Sequence, residues 1–414
     1  MARSFDKIIA GQAQEILEMR KLPVLARAPM KRVDVHSSLA QAVLGMRRAG
    51  KSVICRTALY EAQVPFAYVN FDDETLARIS PDELDDLFES AIKVYGKVTH
   101  FLFDEIQNVE GWHLFVNRLL RMGHHVVITG SNARLLTSEL ATHLTGRYLP
   151  IEVQPFSFAE YRDWTAQEVD DAWQRYFFNG GLPEAFVLPD VRSYISALYN
   201  SILSKDILGR HHVRNGNRFI EAAYVVMKQF GREIAYDRLA KAAGISSAHT
   251  LQTYVGYLVE AYLVSCVRKY SYKPAERIRN EKLYVGDPAF ISYFTGVLGS
   301  EEELGWRLEN IVYLELLRRR VEDDTEIYYY KDQSHEIDFC LTRHGKVVQL
   351  VQVTYTLAGE RTRKREIPPL FSVGRKLNCS NLLVITNNES ETVVENGMTV
   401  KVIPAKNWLC DTSR

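Results

Sequence analysis

Residues 45 to 52 read Gly-Met-Arg-Arg-Ala-Gly-Lys-Ser and match the phosphate-binding pattern G-x-x-x-x-G-K-[ST]. The match follows the apolar run at 42–44 and precedes a stretch with helical patterning. The glycines let the loop turn its backbone N–H groups toward phosphates, Lys51 adds a positive charge, and the Ser52 hydroxyl can bind Mg²⁺. A chance glycine-rich turn is the alternative. The pattern predicts a nucleoside triphosphate site built from Gly45, Arg47, Arg48, Ala49, Gly50, Lys51 and Ser52.

A second signal lies at residues 98–105, Val-Thr-His-Phe-Leu-Phe-Asp-Glu. Such a run is typical of a buried parallel strand, and ligands of open α/β sheets bind at the carboxyl ends of the strands. Asp104 is placed there to hold Mg²⁺ through its water shell, and Glu105 to orient the attacking water. A strand that ends in a solvated acidic turn is the alternative. Together with the loop, the two acids predict Mg²⁺-dependent ATP hydrolysis.

Composition limits the class of protein. At 414 residues the chain is too long for one core, which predicts two or three domains. Lys plus Arg equals Asp plus Glu at 51 each, so overall charge indicates neither a nucleic acid nor a membrane partner. The sequence has no run of 18 apolar residues, so we expect a cytoplasmic protein without a membrane partner. Scattered cysteines without C-x-x-C spacing argue against zinc or disulfides: Cys55, Cys266, Cys340, Cys379 and Cys410.

After a helical lead-in of about 40 residues, strand-like runs alternate with helical patterns as far as residue 155. This alternation predicts a mostly parallel, doubly wound α/β sheet in a first domain at 1–155. The expected strands are 42–45, 66–71, 101–105, 125–130 and 148–153, and the expected helices begin at 51, 81, 112 and 133.

Two further candidates follow the fourth strand. Ser131 or Asn132 at its tip would lie beside the γ-phosphate, although either residue could instead cap the next helix. Arg147 follows Gly146 and could be an arginine finger, because a guanidinium is always charged and forked for phosphate oxygens. Its alternative role is a surface cation after a glycine cap.

These motifs, with Gln-Pro-Phe-Ser-Phe at 154–158 and Gly-Gly-Leu-Pro-Glu at 180–184, resemble a large prokaryotic family of AAA-type ATPases. The resemblance extends from about residue 40 to Trp408. It implies ATP binding, a sensor at Asn132 or Ser131, and Arg147 acting on a neighbouring subunit of a homo-oligomer. It also implies a helical and winged-helix region after the ATPase core, and then a domain related to restriction endonucleases.

Residues 156–275 lack strand alternation and contain a helix-turn-helix pattern, with a turn at Gly244 between helices at 234–243 and 250–263. DNA is the candidate partner, but the side chains on the second helix include no arginine or lysine. A fold used for packing or oligomer contacts is the alternative. The next segment, 268–282, interleaves cations with tyrosines, which suits phosphates and stacked bases or equally a solvated linker. The candidate base-contacting residues are Ser246, Ser247, His249, Gln252 and Thr253.

Residues 276–414 carry an incomplete nuclease-like pattern. Glu309 on a helix and Asp338 on a strand take the places of two acids that hold Mg²⁺ in restriction-endonuclease-like folds. The expected E-x-K reads Gln352-Val353-Thr354, and a threonine cannot replace the lysine that acidifies the attacking water. We therefore expect a catalytically inactive nuclease-like domain, and the sequence leaves open whether Glu309, Asp338 and Gln352 bind a metal.

Two functions are compatible with these patterns. The first is an ATP-hydrolysing oligomer that acts on nucleic acid or a protein partner. The second is a slow nucleotide-dependent switch or scaffold, in which turnover only resets the assembly. DNA-stimulated rapid turnover would favour the first, whereas a single burst of ATP hydrolysis followed by slow release would favour the second.

Overall fold

The computed structural model describes residues 5–77, 79–133, 146–271, 281–296 and 299–411. Contacts divide the chain into two compact units. Unit 1 comprises Met1–Val153 with Glu260–Tyr262, and unit 2 comprises Gln154–Val259 with Leu263–Arg414. The helical region and the C-terminal region, which we expected to be separate domains, share unit 2.

Unit 1 contains the predicted α/β sheet, and its strands are parallel as expected. The strand order is β2-β3-β4-β1-β5. β4 therefore lies between β1, which leads into the glycine-rich loop, and β3, which ends at Asp104. The strands are β1 (Ala40–Leu44), β2 (Phe66–Asn70), β3 (His100–Asp104), β4 (His125–Gly130) and β5 (Tyr148–Glu152).

Helices in unit 1 begin close to the predicted positions. The central strands β1 and β3 are buried throughout, as expected for apolar strands covered on both faces. Residues 134–145 lie outside the described part of the chain, so the helix expected from residue 133 stays a prediction. The described helices are α1 (Asp6–Met19), α2 (Lys51–Glu61), α3 (Leu84–Tyr95) and α4 (Trp112–Arg121), with 3₁₀ turns at Ala28–Arg32, Pro81–Glu83 and Ile106–Asn108.

Unit 2 begins with helices, as the missing strand alternation predicted. The helix Val191–Ser201 continues without a break into a π-helical turn at Ile202–Leu208. None of the helices in the described parts of the chain is long and apolar enough to span a membrane. These first helices are α5 (Phe158–Thr165), α6 (Val169–Asn179), α7 (Val191–Ser201) and α8 (Gly216–Met227), with a 3₁₀ turn at Pro183–Phe186.

The helix-turn-helix pattern forms helices α9 (Tyr236–Ala242) and α10 (Ala248–Glu260), and Gly244 lies between them with a φ of +63°. A positive φ favours glycine, so this turn is set locally by the sequence. A small antiparallel sheet accompanies the two helices, in the order β6-β8-β7. Its strands are β6 (Arg232–Glu233), β7 (Val264–Arg268) and β8 (Glu281–Val285).

The C-terminal part of unit 2 is built on a mixed sheet of order β13-β14-β12-β11-β10-β9. β11, β12 and β14 run parallel, and the outer pairs are antiparallel. The strands are β9 (Glu326–Lys331), β10 (Glu336–Arg343), β11 (Lys346–Val353), β12 (Leu382–Thr386), β13 (Glu391–Glu395) and β14 (Met398–Pro404). The helices are α11 (Pro288–Thr295), α12 (Glu301–Asp323), α13 (Glu360–Leu377) and α14 (Ala405–Cys410).

The glycine pair at 180 and 181 has a packing role in unit 2. Gly180 has a φ of +71°, and an added Cβ would lie 1.7 Å from Asp287 Oδ1. At Gly181 an added Cβ would lie 2.1 Å from the Phe156 carbonyl oxygen. The Gly181 N–H donates to Asp287 Oδ2 at 2.8 Å, and the Phe156 N–H donates to the Gly181 carbonyl at 2.8 Å. Two motifs noted in the sequence thus meet through backbone contacts that leave no room for a side chain.

Candidate functional site

The glycine-rich loop follows β1 and is shaped by its two end glycines. The Gly45 N–H donates to the Gly130 carbonyl at 3.3 Å, and a Cβ at Gly45 would lie 2.1 Å from the Val153 carbonyl oxygen. Gly50 has a φ of +92° immediately before α2 begins at Lys51. Both positions therefore require glycine, one for close approach and one for backbone conformation.

Lys51 reaches back across the loop. Its side chain is buried, with the residue 5% exposed, and Nζ donates to the Met46 carbonyl oxygen at 3.1 Å. Nζ also lies 3.4 Å from Glu105 Oε1. A buried ammonium needs oxygen partners of this kind, and phosphate oxygens at the loop would be alternative partners of the same chemistry.

Asp104, at the end of β3, is joined to two neighbouring strands and to α2. Its Oδ1 accepts hydrogen bonds from Ser52 Oγ at 2.8 Å and from Thr129 Oγ1. Its Oδ2 accepts one from the Tyr68 hydroxyl at 3.3 Å. Burial, with the neighbouring charge of Glu105, raises the pKa of Asp104 above its ordinary value. Ser52 and Asp104 therefore present adjacent oxygen atoms of the type that Mg²⁺ prefers.

Glu105 is held in an unusual backbone conformation directly after β3. Its φ is +52°, which is uncommon for a residue other than glycine and is often found at functional sites. The Glu105 N–H donates to Thr129 Oγ1 at 3.0 Å, and Oε2 accepts hydrogen bonds from the Ser131 N–H at 3.3 Å and from Gln107 Nε2 at 2.5 Å. These contacts fix the carboxylate between the tips of β3 and β4.

The charge state of Glu105 depends on nearby cations. Burial favours the neutral acid, but the charges of Lys51 and Arg47 outweigh it and lower the pKa of Glu105 to about 2. Arg47 is itself paired with Asp72 at 3.1 Å. Glu105 is therefore ionised at neutral pH and can accept a hydrogen bond from water.

The remaining loop and tip residues are distributed as follows. Arg48 has a φ of +69°, and the Ala49 N–H closes the loop by donating to the Met46 carbonyl at 3.2 Å. Ser131 and Asn132 are buried at the tip of β4. Of these two, Ser131 is the one whose backbone N–H contacts Glu105. Asn132, with Ser131 as the alternative, stays a predicted sensor of the γ-phosphate.

Arg147 lies at the edge of the sheet formed by the amino ends of the strands. Its side chain is exposed, and its carbonyl oxygen accepts the Ala40 N–H at 3.0 Å, at the amino end of β1. The glycine-rich loop follows the carboxyl end of β1, four residues further on, which is roughly 13 Å at about 3.3 Å per residue. Arg147 therefore lies at the edge of the sheet opposite its own loop. It is not brought together with Lys51 and Glu105 within one chain.

Three contributors to the site were missed by the sequence patterns. Arg27 is buried and its Nη1 donates to the Ala49 carbonyl oxygen at 2.9 Å, so it fixes the back of the loop. Thr129 bridges Asp104 and the Glu105 backbone, and Tyr68 contacts Asp104 from β2. Thr129 belonged to a segment that the sequence did single out. No spacing signal marks Arg27 or Tyr68, because their contacts depend on which distant segments of the chain pack together.

The residues fit a Mg²⁺–nucleotide. The first turn of α2 leaves backbone N–H groups without partners inside the helix. These groups lie at the positive end of the helix dipole, which attracts anions. Lys51 supplies a cation, while Ser52 Oγ and Asp104 Oδ1 supply oxygen ligands 2.8 Å apart. The loop would hold phosphates, and the two oxygens would hold Mg²⁺ or its water shell.

The candidate nucleic-acid surface divides into exposed and buried parts. Ser246, Ser247, His249, Gln252 and Thr253 are exposed, as the helix-turn-helix pattern predicted. For segment 268–282 the interpretation needs correction at two residues, because Tyr270 and Lys282 are buried and cannot stack on bases or reach phosphates, whereas Arg268 is exposed. Their burial follows from packing against the C-terminal sheet, which the sequence did not indicate. The other cations and tyrosine at 272–280 lie outside the described residues.

The nuclease-like positions lie together in unit 2. The Asp338 N–H donates to Gln352 Oε1 at 3.3 Å, and Asp338 Oδ2 accepts the Val353 N–H at 2.9 Å. Gln352 Nε2 donates to Glu366 Oε2 at 2.5 Å. Thr354 Oγ1 donates to the Thr356 carbonyl at 3.2 Å. Within the described residues, no group of three His, Cys, Asp or Glu side chains has a geometry that could hold a metal ion.

Comparisons with known proteins agree with the site in unit 1. Residues 37–162 match a family model described as an AAA domain. Residues 170–301 and 304–408 match two models described as domains of unknown function, DUF8612 and DUF4143. An uncharacterised protein of Methanocaldococcus jannaschii is 30% identical over 392 residues, which cover 88% of this chain and 87% of the relative.

Two further similarities are more distant. An uncharacterised protein of Haemophilus influenzae is 29% identical over 387 residues, covering 89% of this chain and 93% of the relative. Among solved structures, a Walker-type ATPase of Pyrococcus abyssi aligns with a TM-score of 0.40 and 14% identity, covering 70% of this chain and 96% of that chain.

Proposed function

Because the chain belongs to one family with the Methanocaldococcus jannaschii relative and carries an AAA domain that binds ATP, we propose that it hydrolyses ATP as a homo-oligomer and binds nucleic acid through unit 2. The observation that carries the proposal is the convergence of Lys51, Ser52, Asp104 and Glu105 at the carboxyl edge of a parallel sheet. Each side chain has the chemistry that phosphoryl transfer to water requires.

The roles of the residues follow from their contacts. Water attacks in line with the β–γ bond, and Glu105 orients it as an ionised hydrogen-bond acceptor. Lys51 neutralises charge that develops on the phosphates. Mg²⁺, held through Ser52 and Asp104, would supply further positive charge there. Thr129 positions Asp104 and the Glu105 backbone together, so the two acids keep a fixed relation.

Oligomerisation is part of the proposal because of Arg147. The exposed guanidinium at the amino edge of the sheet is separated from its own loop by the length of β1. In a ring or filament it can approach the loop of a neighbouring subunit and stabilise the transition state. Leu149, on the same edge strand, is 43% exposed and offers apolar area for such a contact.

Binding of DNA is supported by the exposed polar side chains at the start of α10, where helix-turn-helix proteins read base edges. The absence of arginine and lysine among the five candidate side chains favours a second candidate, a nucleotide-dependent switch that binds a protein partner. In either case the nuclease-like positions serve assembly or recognition, because Thr354 is not a cation.

One experiment separates these possibilities. The ATPase rate is measured against protein concentration, with and without single-stranded, duplex and branched DNA, and Lys51→Ala serves as the control for contaminating ATPases. The proposal expects the specific rate to rise with concentration and to rise further with one DNA form. A concentration-dependent rate that no DNA changes would favour the protein-binding switch. A rate equal to that of Lys51→Ala under all conditions would exclude hydrolysis.

A further inference from the structure

A buried lysine lies among three carboxylates in unit 2. Lys282 Nζ is 2.9 Å from Glu336 Oε1, 3.3 Å from Asp338 Oδ1 and 3.4 Å from Glu309 Oε1. We call Glu309, Glu336 and Asp338 the carboxylate cluster. It lies on α12 and β10, whereas Lys282 lies on β8 of the small antiparallel sheet. The contact therefore joins two sheets of unit 2.

The local pattern of β8 explains how the lysine enters. Successive side chains of a strand point to opposite faces, so Lys282 and Tyr284 share one face. The Tyr284 hydroxyl donates to Glu309 Oε1 at 2.6 Å, the same oxygen that Lys282 approaches. Lys282 is 3% exposed, and a charge at that depth is stable only with anionic partners.

The Lys282 ammonium lies in the same cavity as the positions that the sequence marks as nuclease-like. The cluster lines a cavity of about 660 Å³ that also contains Gln352, Thr354 and Glu366. The E-x-K lysine missing at Thr354 is thus matched by a cation from another part of the chain. Gln352 and Thr354 are engaged with Glu366 and the Thr356 carbonyl instead.

Electrostatics agrees with the geometry. Burial lowers the pKa of a lysine, but Glu309, Asp338 and Glu336 outweigh burial and raise the pKa of Lys282 well above its ordinary value. Burial and the charge of Asp338 raise the pKa of Glu309. Without the ammonium, these acids would face one another in a cavity with no neutralising group at their centre.

We propose that the carboxylate cluster is a cation site that the chain fills with its own Lys282 ammonium, and that its carboxylates, which are not in a metal-binding geometry in the structure, close on a hard divalent cation only when this ammonium is removed. Oxygen ligands to Mg²⁺ or Ca²⁺ lie at roughly 2.0 to 2.6 Å. The carboxylates stand further out, at the distances of an N–H···O contact, so the wild-type arrangement suits an ammonium. This inference concerns unit 2 and stands independently of the ATPase.

The experiment measures Mn²⁺ binding to nucleotide-free full-length protein by electron paramagnetic resonance. Lys282→Ser should bind one more Mn²⁺ per chain than the wild type, and Lys282→Ser with Asp338→Asn should lose that ion. Lys331→Ser is the matched control, because Lys331 also contacts Glu336, at 3.0 Å, but from a half-exposed position outside the cluster. Lys331→Ser should bind the same number of ions as the wild type.

Two results would overturn the proposal. One is a folded Lys282→Ser protein, judged by circular dichroism, that binds no additional Mn²⁺. The other uses only the wild-type background: a wild type that loses one Mn²⁺ on Asp338→Asn already holds a metal in the cluster. This second comparison can overturn the proposal even if Lys282→Ser does not fold. Equal Mn²⁺ binding by the wild type and Asp338→Asn supports the proposal.

Discussion

Lys51 Nζ and Glu105 Oε1 lie 3.4 Å apart, so the cation of the phosphate loop and the acid of β3 are direct electrostatic partners. This contact is one of the causes that hold the pKa of Glu105 at about 2. Phosphates that draw Lys51 away would raise that pKa and make Glu105 a better acceptor for a proton of water. The pair would thereby link nucleotide binding to the basicity of Glu105, the residue that we propose orients water.

The first prediction separates binding from hydrolysis. Lys51→Ala should weaken ATP binding roughly 10- to 100-fold, because a charge-assisted contact to phosphate is lost. Glu105→Gln should bind ATP almost normally and lose turnover by about 10² to 10⁴, the contribution typical of a positioned acid or base. Equilibrium binding and steady-state turnover are measured on the same preparations. Normal turnover in Glu105→Gln would remove this carboxylate from the mechanism.

The second prediction concerns Arg147. If the residue serves a neighbouring subunit, Arg147→Ala alone should lose activity, since arginine fingers contribute roughly 10³ to 10⁵ in rate. A mixture of Arg147→Ala and Lys51→Ala subunits should recover part of it at interfaces that pair an intact loop with an intact arginine. Turnover is followed as the mixing ratio is varied. Full activity of purified Arg147→Ala would retire the assignment.

The third prediction concerns nuclease activity. With Thr354 engaged by a backbone carbonyl and Lys282 among the acids, we expect no Mg²⁺- or Mn²⁺-dependent cleavage of linear, circular or branched DNA. The background is set by a Lys51→Ala, Asp338→Ala protein. Cleavage by the wild type that Asp338→Ala alone abolishes would mean that the site works with Gln352 or with a lysine from elsewhere in the chain, such as Lys282.

The fourth prediction concerns Gly180 and the stability of unit 2. Gly180→Ala should destabilise unit 2, because its Cβ would overlap Asp287 Oδ1 and its φ of +71° suits only glycine. Gly296 is the matched control: its φ is +84°, and among the described residues no atom lies within 4 Å of an added Cβ. Gly180→Ala should lower the free energy of unfolding by about 1 to 3 kcal/mol more than Gly296→Ala, the cost of overpacking. Equal effects in denaturant titrations would contradict this packing role.

The fifth prediction is a pH dependence. Burial raises the pKa of Asp287 to about 7. The hydrogen bonds that Asp287 accepts from the Ala289 and Gly181 N–H groups lower its pKa, but by less than burial raises it. With a raised folded-state pKa, the folded protein retains a proton that the unfolded chain releases from about pH 4 upward. Stability contributed by this carboxyl is therefore full below pH 4 and falls as pH rises to about 7, by roughly 4 kcal/mol at most.

Asp287→Asn removes this titration. The difference in unfolding free energy between the wild type and Asp287→Asn should change between pH 4.5 and pH 7.5, with the wild type losing stability relative to the variant as pH rises. Subtraction cancels the titration of groups that the two proteins share. A difference that stays constant across this range would show that Asp287 is already ionised in the folded protein.

The sequence by itself determined the elements whose information is local. The glycine-rich loop turns at Gly45 and Gly50, since Gly45 has no room for a Cβ and Gly50 needs a positive φ. The apolar runs that alternate with helical patterns gave the parallel sheet, with Asp104 and Glu105 at its carboxyl edge. These features depend on neighbours in the chain, so spacing and residue type were enough to predict them.

Only the tertiary structure decided which distant residues meet. Placing β4 between β1 and β3 makes Thr129 a bridge between the two acids, and Arg27 reaches the loop from a turn that no motif marks. Lys282 belonged to a segment whose composition suggested contact with nucleic acid, yet it is buried against Glu309 and Asp338. The composition of the segment shows that it contains a charged lysine. Which side chains neutralise that charge depends on which strands and helices pack together.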